Sequence, residues 1–252
     1  MNEAVLKISG VTKKYRGNVA VDNISMTINK GDIYGLIGRN GAGKTTLMRM
    51  VASLTSADRG EIELLGEKSA SGLAKARRQM GCVIETPALY PNLTAFQNLE
   101  YFRILRRIKN KQVIEEALRT VGLEDTGKKK FRDFSLGMKQ RLGLALALLG
   151  SPDFIILDEP NNGLDPLGIV EMRETVVKLR NERGITIMIS SHVLSELSMT
   201  ATRYGIINNG RLIKEMTSDE LKLQNASGGN LEDYFVSLVG KDNAMISGKR
   251  GK

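Results

Sequence analysis

The chain has 252 residues, of which 41% are hydrophobic and 26% are charged, and it carries a formal net charge of +9. This length and composition are those of a globular protein that can bury a substantial core in one large or two small domains. The longest nearly uncharged apolar run, Leu142 to Gly150, is far shorter than the ~20 residues that a membrane-spanning helix needs. The sequence therefore argues against a chain that crosses a membrane by itself.

The N-terminus and the cysteine content predict a cytoplasmic protein. The first residues lead directly into a strand pattern, without the basic and apolar regions of a signal peptide. Cys82 is the only cysteine, so no internal disulfide can form, which agrees with a reducing compartment.

The basic residues fall in separate clusters without interleaved aromatic residues. A basic face for nucleic acid or acidic lipid stays open as an alternative. A general positive excess on a solvated surface accounts better for the spread, and we expect no nucleic-acid partner.

The first third of the chain is predicted to be rich in strands. Val5 to Val11 and Ile24 to Ile28 alternate apolar and polar residues, as half-buried strands do. Gly60 to Gly66 is a further strand bounded by turn residues. Ile33 to Ile37 is a continuous apolar run and is typical of a buried strand.

A glycine-rich segment follows this buried strand and precedes a predicted helix. Its sequence, GRNGAGKTT, matches the phosphate-binding P-loop pattern G-x-x-x-x-G-K-[ST]. Glycine lets the backbone approach an anion closely, and the helix presents the positive end of its dipole. We expect Lys44 to reach the β- and γ-phosphates of a nucleotide and the Thr45 hydroxyl to bind Mg²⁺. The predicted phosphate-binding residues are Gly38, Asn40, Gly41, Gly43, Lys44, Thr45 and Thr46.

From about residue 86 to residue 150 the character of the chain changes. Thr94 is suited to cap a helix, and Ala95 to Lys109 and Lys111 to Val121 carry the helical spacing of apolar residues. This segment is predicted to be a helical insertion.

Beyond the insertion, buried strands return. Phe154 to Leu157 and Ile185 to Ile189 are apolar runs, separated by a predicted helix from about Gly168 to Glu182. This alternation predicts a largely parallel α/β sheet with helices on both faces. Tyr204 to Lys214 is predicted to form a hairpin around the turn Asn209-Gly210.

The C-terminal extension has little pattern. Residues 225–230 have the composition of a turn, Leu231 to Val239 can form one short helix, and Lys241 to Lys252 is predicted to be disordered.

Two carboxylates follow the buried strand Phe154 to Leu157 directly. Open α/β sheets bind ligands at the carboxyl ends of their strands, so Asp158 and Glu159 are placed at such a site. Asp158 is predicted to hold Mg²⁺ through water, and Glu159 is predicted to polarise the water that attacks the nucleotide.

From Val5 to about Leu223 these motifs resemble the nucleotide-binding subunits of ABC transporters. Residues 134–141, with the sequence FSLGMKQR, are similar to the signature motif that separates this family from other P-loop ATPases. The resemblance implies that Ser135 and Gly137, at the start of a helix, cap the γ-phosphate of ATP that a second copy binds. Leucine and methionine at positions 136 and 138 replace the usual Gly and Gln.

Four further segments take their meaning from the same resemblance. Asn162 to Asp165 is similar to the D-loop that lines the dimer interface. His192 matches the switch histidine that contacts the γ-phosphate. Tyr15 matches the aromatic residue that stacks on adenine. Glu85 stands where the family normally has a Gln that approaches Mg²⁺ and senses the transmembrane partner. A carboxylate there still offers oxygen to a hard cation, so Glu85 is a candidate metal ligand, but it adds negative charge.

The fold class that follows is α/β. The resemblance implies a P-loop NTPase (RecA-like) core with an antiparallel β subdomain and an inserted α-helical subdomain. The core and β subdomain would span residues 1–85 and 151–223 and the helical subdomain about residues 86–150, with an extension from 224 to 252.

The segment from Glu85 to Ala95 also resembles the ATPase subunits of bacitracin-type and lantibiotic-immunity exporters. The implied ligands are ATP and Mg²⁺, and the implied partners are a second copy in a head-to-tail ATP sandwich and membrane permease subunits. Coupling to the permease is expected around Thr86 to Tyr101, at the inner face of the cell membrane.

Two alternative functions stay open. One is the ATPase of another ABC exporter or importer. The other is a soluble ABC protein acting on ribosomes or DNA, which the single P-loop and the absence of a long heptad run disfavour.

Overall fold

The computed structural model describes residues 3–85, 87–226 and 230–250. The strands are β1 (Ala4–Tyr15), β2 (Asn18–Asn29), β3 (Ile33–Ile37), β4 (Arg59–Leu64), β5 (Met80–Val83), β6 (Phe154–Leu157), β7 (Thr186–Ser191), β8 (Arg203–Asn208) and β9 (Arg211–Thr217). The helices are α1 (Lys44–Val51), α2 (Ala70–Ala76), α3 (Ala95–Leu105), α4 (Gln112–Thr120), α5 (Leu136–Leu148), α6 (Pro166–Arg183), α7 (Leu194–Ser198), α8 (Ser218–Ala226) and α9 (Leu231–Arg250). Short 3-10 helices occupy Arg77–Gln79, Glu124–Thr126 and Phe131–Asp133.

The strands form two sheets. Six strands lie in the order β5-β6-β7-β3-β8-β9, and neighbours are parallel except for the antiparallel pair β8 and β9. The other sheet is antiparallel, in the order β2-β1-β4. Helices α3, α4 and α5, which follow β5 and precede β6 in the sequence, pack against one another. These features confirm the predicted α/β core with an antiparallel β subdomain and a helical insertion.

The six-stranded sheet lies between two hydrophobic clusters. Side chains alternate between the faces of a strand, so Ile155 and Leu157 of β6 join the cluster that includes the helical insertion. Phe154 and Ile156 of the same strand join the cluster that includes α1 and the three-stranded sheet. A strand buried on both faces explains why its sequence is a continuous apolar run.

The sheet order brings the three chemically important loops to one edge. Strand β7 lies between β6 and β3, with Leu157 opposite Ile189 and Ile37 opposite Ser191. The chain continues from these three parallel strands into the P-loop, into Asp158 and into the His192 loop, all at their carboxyl ends.

Element boundaries differ from the predictions where the backbone turns left-handed. Helix α3 was predicted to extend to Lys109 but ends at Leu105, and Arg107 has a φ of 57° that an α-helix cannot continue. Strand β4 ends at Leu64 rather than Gly66, because the next two residues both have positive φ. Elements α2, β5, α7 and α8 were not predicted.

The C-terminal extension differs most from its prediction. The predicted helix over 231–239 begins where α9 begins, but α9 continues to residue 250, so the prediction of disorder is wrong over 241–250. The physical reason is tertiary contact, since the Asn208 side chain donates hydrogen bonds to Asp242 at 2.8 Å and to Asn243 at 2.9 Å. Propensity within the segment contains no information about such a partner.

Some predictions lie outside the described residues or concern membrane insertion. Thr86, where the insertion was predicted to begin, and residues 227–229 of the predicted turn are not described, and residues 225 and 226 belong to α8. Within the described ranges, no helix is both long enough and apolar enough to span a bilayer.

A buried amide holds the chain where it enters the insertion. Asn98 is fully buried, and its Oδ1 accepts a hydrogen bond from the Tyr90 backbone N–H at 2.8 Å. Its Nδ2 donates to the carbonyl oxygens of Tyr90 at 3.2 Å and Thr94 at 3.0 Å.

We expect Asn98→Ala to lower the free energy of unfolding by about 2–4 kcal/mol, because it removes these bonds and leaves buried backbone groups without partners. Denaturant unfolding measures the effect, with Gln112→Ala, an exposed amide on α4, as the control expected to change stability by less than about 0.5 kcal/mol. Equal losses in both variants would show that the Asn98 network does not order this segment.

Candidate functional site

The P-loop backbone is shaped at two positions that only glycine can occupy. A Cβ on Gly38 would lie 2.5 Å from the carbonyl oxygen of Ile207. Gly43 has a φ of 109°, and a Cβ there would lie 2.5 Å from the carbonyl oxygen of Ala20. The loop is therefore packed tightly against β2 and β8, and its shape is fixed without side chains.

Lys44 lies inside this loop. Its side chain is 5% exposed, and Nζ donates hydrogen bonds to the carbonyl oxygens of Gly38 at 2.5 Å and Arg39 at 3.3 Å. Nζ is also 3.0 Å from Oε1 of Glu159. Thr45 and Thr46 follow in the first turn of α1, where backbone N–H groups have no intrahelical partner. The sequence thus places an ammonium group and free N–H groups on one loop, which is an anion site.

Thr45 and Asp158 face each other across the site. The Thr45 hydroxyl donates to one carboxylate oxygen of Asp158 at 2.7 Å, and the Ser190 hydroxyl donates to the other at 2.6 Å. Ser190 also accepts a hydrogen bond from the backbone N–H of Glu159 at 2.8 Å. Sequence reasoning missed Ser190, although a hydroxyl residue near the end of an otherwise apolar strand was a signal.

Glu159 lies between two cationic or ionisable groups. Its Oε1 is close to Lys44, and its Oε2 is 2.7 Å from Nδ1 of His192. The residue has a φ of 49°, a left-handed conformation that is uncommon outside glycine. The Ser190 bond to its backbone N–H helps to hold that conformation. The structure therefore brings together Lys44, Glu159 and His192, which the sequence had placed on three separate loops.

The oxygen donors of the site fit a hard cation that is bound together with phosphate. Mg²⁺ takes oxygen ligands and is usually held by one or two protein groups, with substrate phosphates and water completing the shell. The Thr45 hydroxyl and the Asp158 carboxylate are adjacent and supply two such groups. Across the described ranges, no cluster of three or more His, Cys, Asp or Glu residues could hold a metal without a nucleotide.

Glu85 does not join this pair. Its carboxylate forms an ion pair with the guanidinium of Arg49, and 61% of its side chain is exposed. No hydrogen bond joins Glu85 to Thr45 or Asp158 in the described part of the chain. Glu85, the predicted metal ligand, is thus paired with Arg49, which lies on α1 one helical turn beyond Thr45. Sequence reasoning missed Arg49, since nothing in the pattern links positions 49 and 85.

Tyr15 is the last residue of β1, and it is 43% exposed. The Lys13 ammonium is 5.5 Å from the centre of the Tyr15 ring, and the Tyr15 hydroxyl donates to Thr55 at 3.4 Å. The turn after Tyr15, residues 17–19, lines a cavity of about 580 Å³ together with Gly41.

The predicted signature segment lies apart from the P-loop within one chain. Ser135 caps α5, since its hydroxyl oxygen accepts a hydrogen bond from the Met138 backbone N–H at 3.3 Å, and Ser135 is exposed. Ser135 and Gly137 line a cavity of about 400 Å³ together with Leu164 and Asp165. This cavity has no lining residue in common with the cavity of about 610 Å³ beside the P-loop.

A parallel sheet with a P-loop after β3 and acidic residues after β6 defines a P-loop nucleoside triphosphatase. Residues 21–162 match the model of the family described as ABC transporter. The chain therefore belongs to the ABC transporter family, and it is an ATP-binding chain that hydrolyses ATP.

Two curated relatives and one solved structure show how similar the chain is to known members. It is 46% identical over 221 residues to the bacitracin transport ATP-binding protein BcrA of Bacillus licheniformis, covering 88% of this chain and 72% of the relative. It is 41% identical over 235 residues to the lantibiotic transport ATP-binding protein SrtF of Streptococcus pyogenes, covering 93% of this chain and 97% of the relative.

One structural neighbour is a dimeric post-hydrolysis state of the ATP-binding cassette MJ0796 bound to ADP and Pi. It has a TM-score of 0.77 and 26% identity, and the match covers 84% of this chain and 98% of the neighbour. The resemblance that the sequence motifs indicated is confirmed.

Proposed function

We propose that the chain is the ATP-hydrolysing subunit of a transporter that exports a peptide antibiotic of the bacitracin or lantibiotic type through separate permease subunits. The observation that supports hydrolysis is the carboxylate of Glu159 between Lys44 and His192, beside the Thr45–Asp158 pair. The cargo rests on the similarity to transport proteins named for bacitracin and for a lantibiotic.

Each charged group has one task in this proposal. Lys44 binds the β- and γ-phosphates and so leaves the carbonyl oxygen of Gly38 and the Glu159 carboxylate, which it contacts without nucleotide. Glu159 is then free to accept a proton from the attacking water, while His192 holds its other oxygen. Thr45 and Asp158 would hold Mg²⁺, which supplies positive charge to the phosphates.

The site is proposed to be completed by a second copy of the chain. Ser135 is exposed and lies in a cavity separate from that of the P-loop, so it has no phosphate to cap in its own chain. In a head-to-tail dimer, Ser135 and Gly137 of the second copy would offer the N-terminus of α5 to the γ-phosphate, while Tyr15 stacks on the adenine. A related cassette is dimeric, which supports this arrangement.

Coupling to the permease is proposed to run through the start of the helical insertion. Tyr90 and Tyr101 are each 44% exposed there, and their ring centres are 4.8 Å apart in an edge-to-face pair. Tyr90 follows Glu85 closely in the chain, and Glu85 is itself paired to the P-loop helix through Arg49. In this proposal the chain lies at the inner face of the membrane, held there by the permease.

The experiment is a resistance assay in the source cell. Deletion of the coding sequence is expected to lower resistance to bacitracin or to a lantibiotic, and the wild-type chain, but not Glu159→Gln, is expected to restore it. Unchanged resistance to both compounds after deletion would contradict the cargo. Isolation of the chain with ribosomes or DNA, and without a membrane protein, would contradict the transporter role.

A further inference from the structure

Part of the lining of the cavity beside the P-loop comes from residues outside the predicted motifs. It has a volume of about 610 Å³, and its lining includes residues 39–42, His192, Asn208 and Asn209. Phe235 and Asn243, both on helix α9, also line it. The C-terminal helix therefore borders the space in front of the phosphate-binding loop.

The second half of α9 is hydrogen-bonded to the end of β8 and to the β8–β9 turn. Oδ1 of Asn243 accepts hydrogen bonds from the side-chain amides of Asn208 and Asn209, both at 2.9 Å. The Asn208 amide also donates to Asp242 at 2.8 Å. Asn208 is 5% exposed, whereas Asn209 and Asn243 are exposed, so these bonds join a buried side chain of β8 to surface side chains of the turn and of α9.

The same turn is tied to the P-loop. The backbone N–H of Gly210 donates to the carbonyl oxygen of Ala42 at 2.9 Å. The carbonyl oxygen of Gly210 accepts from the Asp22 backbone N–H at 2.8 Å. Neighbouring residues of the turn are thus hydrogen-bonded on one side to Asn243 and on the other side to the P-loop.

The other end of α9 is tied to the helix that follows His192. Oε1 of Glu232 accepts a hydrogen bond from the Ser195 backbone N–H, in the first turn of α7, at 3.2 Å. This bond lowers the pKa of the Glu232 carboxyl group, which is therefore ionised at neutral pH and stabilises the start of α7. Between the two ends, Phe235 and Val239 are buried in the same hydrophobic cluster as Leu194 of α7.

We propose that α9 is a positioning element of the ATP site, which fixes the P-loop and the His192 loop relative to each other by holding the β8–β9 turn at one end and α7 at the other. This inference rests on the proposed function, since it concerns the same ATP site. The two loops follow different strands, and α9 lines the same cavity as both of them. Loss of one attachment lets the His192–Glu159 pair move relative to the phosphates, which slows hydrolysis more than it weakens ATP binding.

The test compares kcat and KM for ATP in the full-length chain with Mg²⁺. Asn243→Ala is expected to lower kcat about fivefold, the effect of about 1 kcal/mol on the barrier, with KM within about twofold. Asn243→Asp keeps the acceptor oxygen, so its kcat is expected to stay within about twofold of the wild type, whereas the added negative charge near the P-loop is expected to raise KM for ATP. Lys241→Ala, at an exposed position on the same helix, is the matched control and should leave both constants unchanged.

The outcomes separate this inference from the proposed function. If the wild-type chain hydrolyses no ATP, the proposed function fails. If the wild type is active and Asn243→Ala matches Lys241→Ala, α9 does not position the site. A kcat equally low in Asn243→Ala and Asn243→Asp, or a melting temperature of Asn243→Ala lowered by more than about 10 °C, would show that α9 serves only stability. Glu232→Gln tests the other attachment and is expected to repeat the Asn243→Ala result.

Discussion

Glu159→Gln is expected to reduce the rate of ATP hydrolysis by about 100-fold or more, because the amide cannot accept a proton from the attacking water. ATP affinity is expected to stay within about threefold of the wild type, since the P-loop holds the phosphates and Gln has nearly the shape of Glu. Single-turnover hydrolysis and equilibrium binding of ATP, measured on the same preparations, separate the two effects.

Glu182→Gln is the matched control for this variant, because Glu182 is an exposed glutamate at the end of α6. Its hydrolysis rate should equal that of the wild type. Hydrolysis by Glu159→Gln at more than about a tenth of the wild-type rate would mean that another group is the general base.

Lys44→Ala is expected to weaken ATP binding by about 10- to 100-fold, because it removes a buried ammonium that makes charge-assisted hydrogen bonds to the phosphates. Hydrolysis is expected to fall at least as far. The substitution also removes the ion pair with Glu159, so the folded state must be checked by its melting temperature. Titration calorimetry with ATP and Mg²⁺ measures the affinity.

Lys75→Ala, an exposed lysine on α2, controls for loss of one positive charge from a chain of net charge +9. It should bind ATP as the wild type does. Unaltered ATP affinity in a folded Lys44→Ala variant would remove Lys44 from the phosphate site.

Much of the P-loop side of the site could be predicted because its functional side chains follow buried strands. The P-loop, Asp158 and His192 each come just after a short apolar run, and parallel strands must present such positions at one edge of the sheet. The contact between Lys44 and Glu159, at 3.0 Å, is compatible with that placement, but the sequence alone does not specify it.

The missed features depend on contacts between distant segments. The pairing of Arg49 with Glu85 changes the position of a predicted metal ligand, yet it joins two surface residues whose local patterns are independent. The length of α9 was underestimated for the same reason, since Asn208, at the end of strand β8, stabilises this helix. The periodicity of apolar residues and the composition describe a segment by itself, and they do not identify the distant residues that it contacts.

We propose that each ATP is bound between Lys44 of one copy and Ser135 of another. The most direct test mixes Lys44→Ala with Ser135→Arg, each of which is expected to be inactive alone because both of its sites are damaged. In a mixed dimer one site has an intact Lys44 from one copy and an intact Ser135 from the other. An equal mixture is expected to regain about a quarter of wild-type ATPase activity, since half of the dimers are mixed and one of their two sites is intact. A mixture no more active than the two variants measured separately would contradict the shared site.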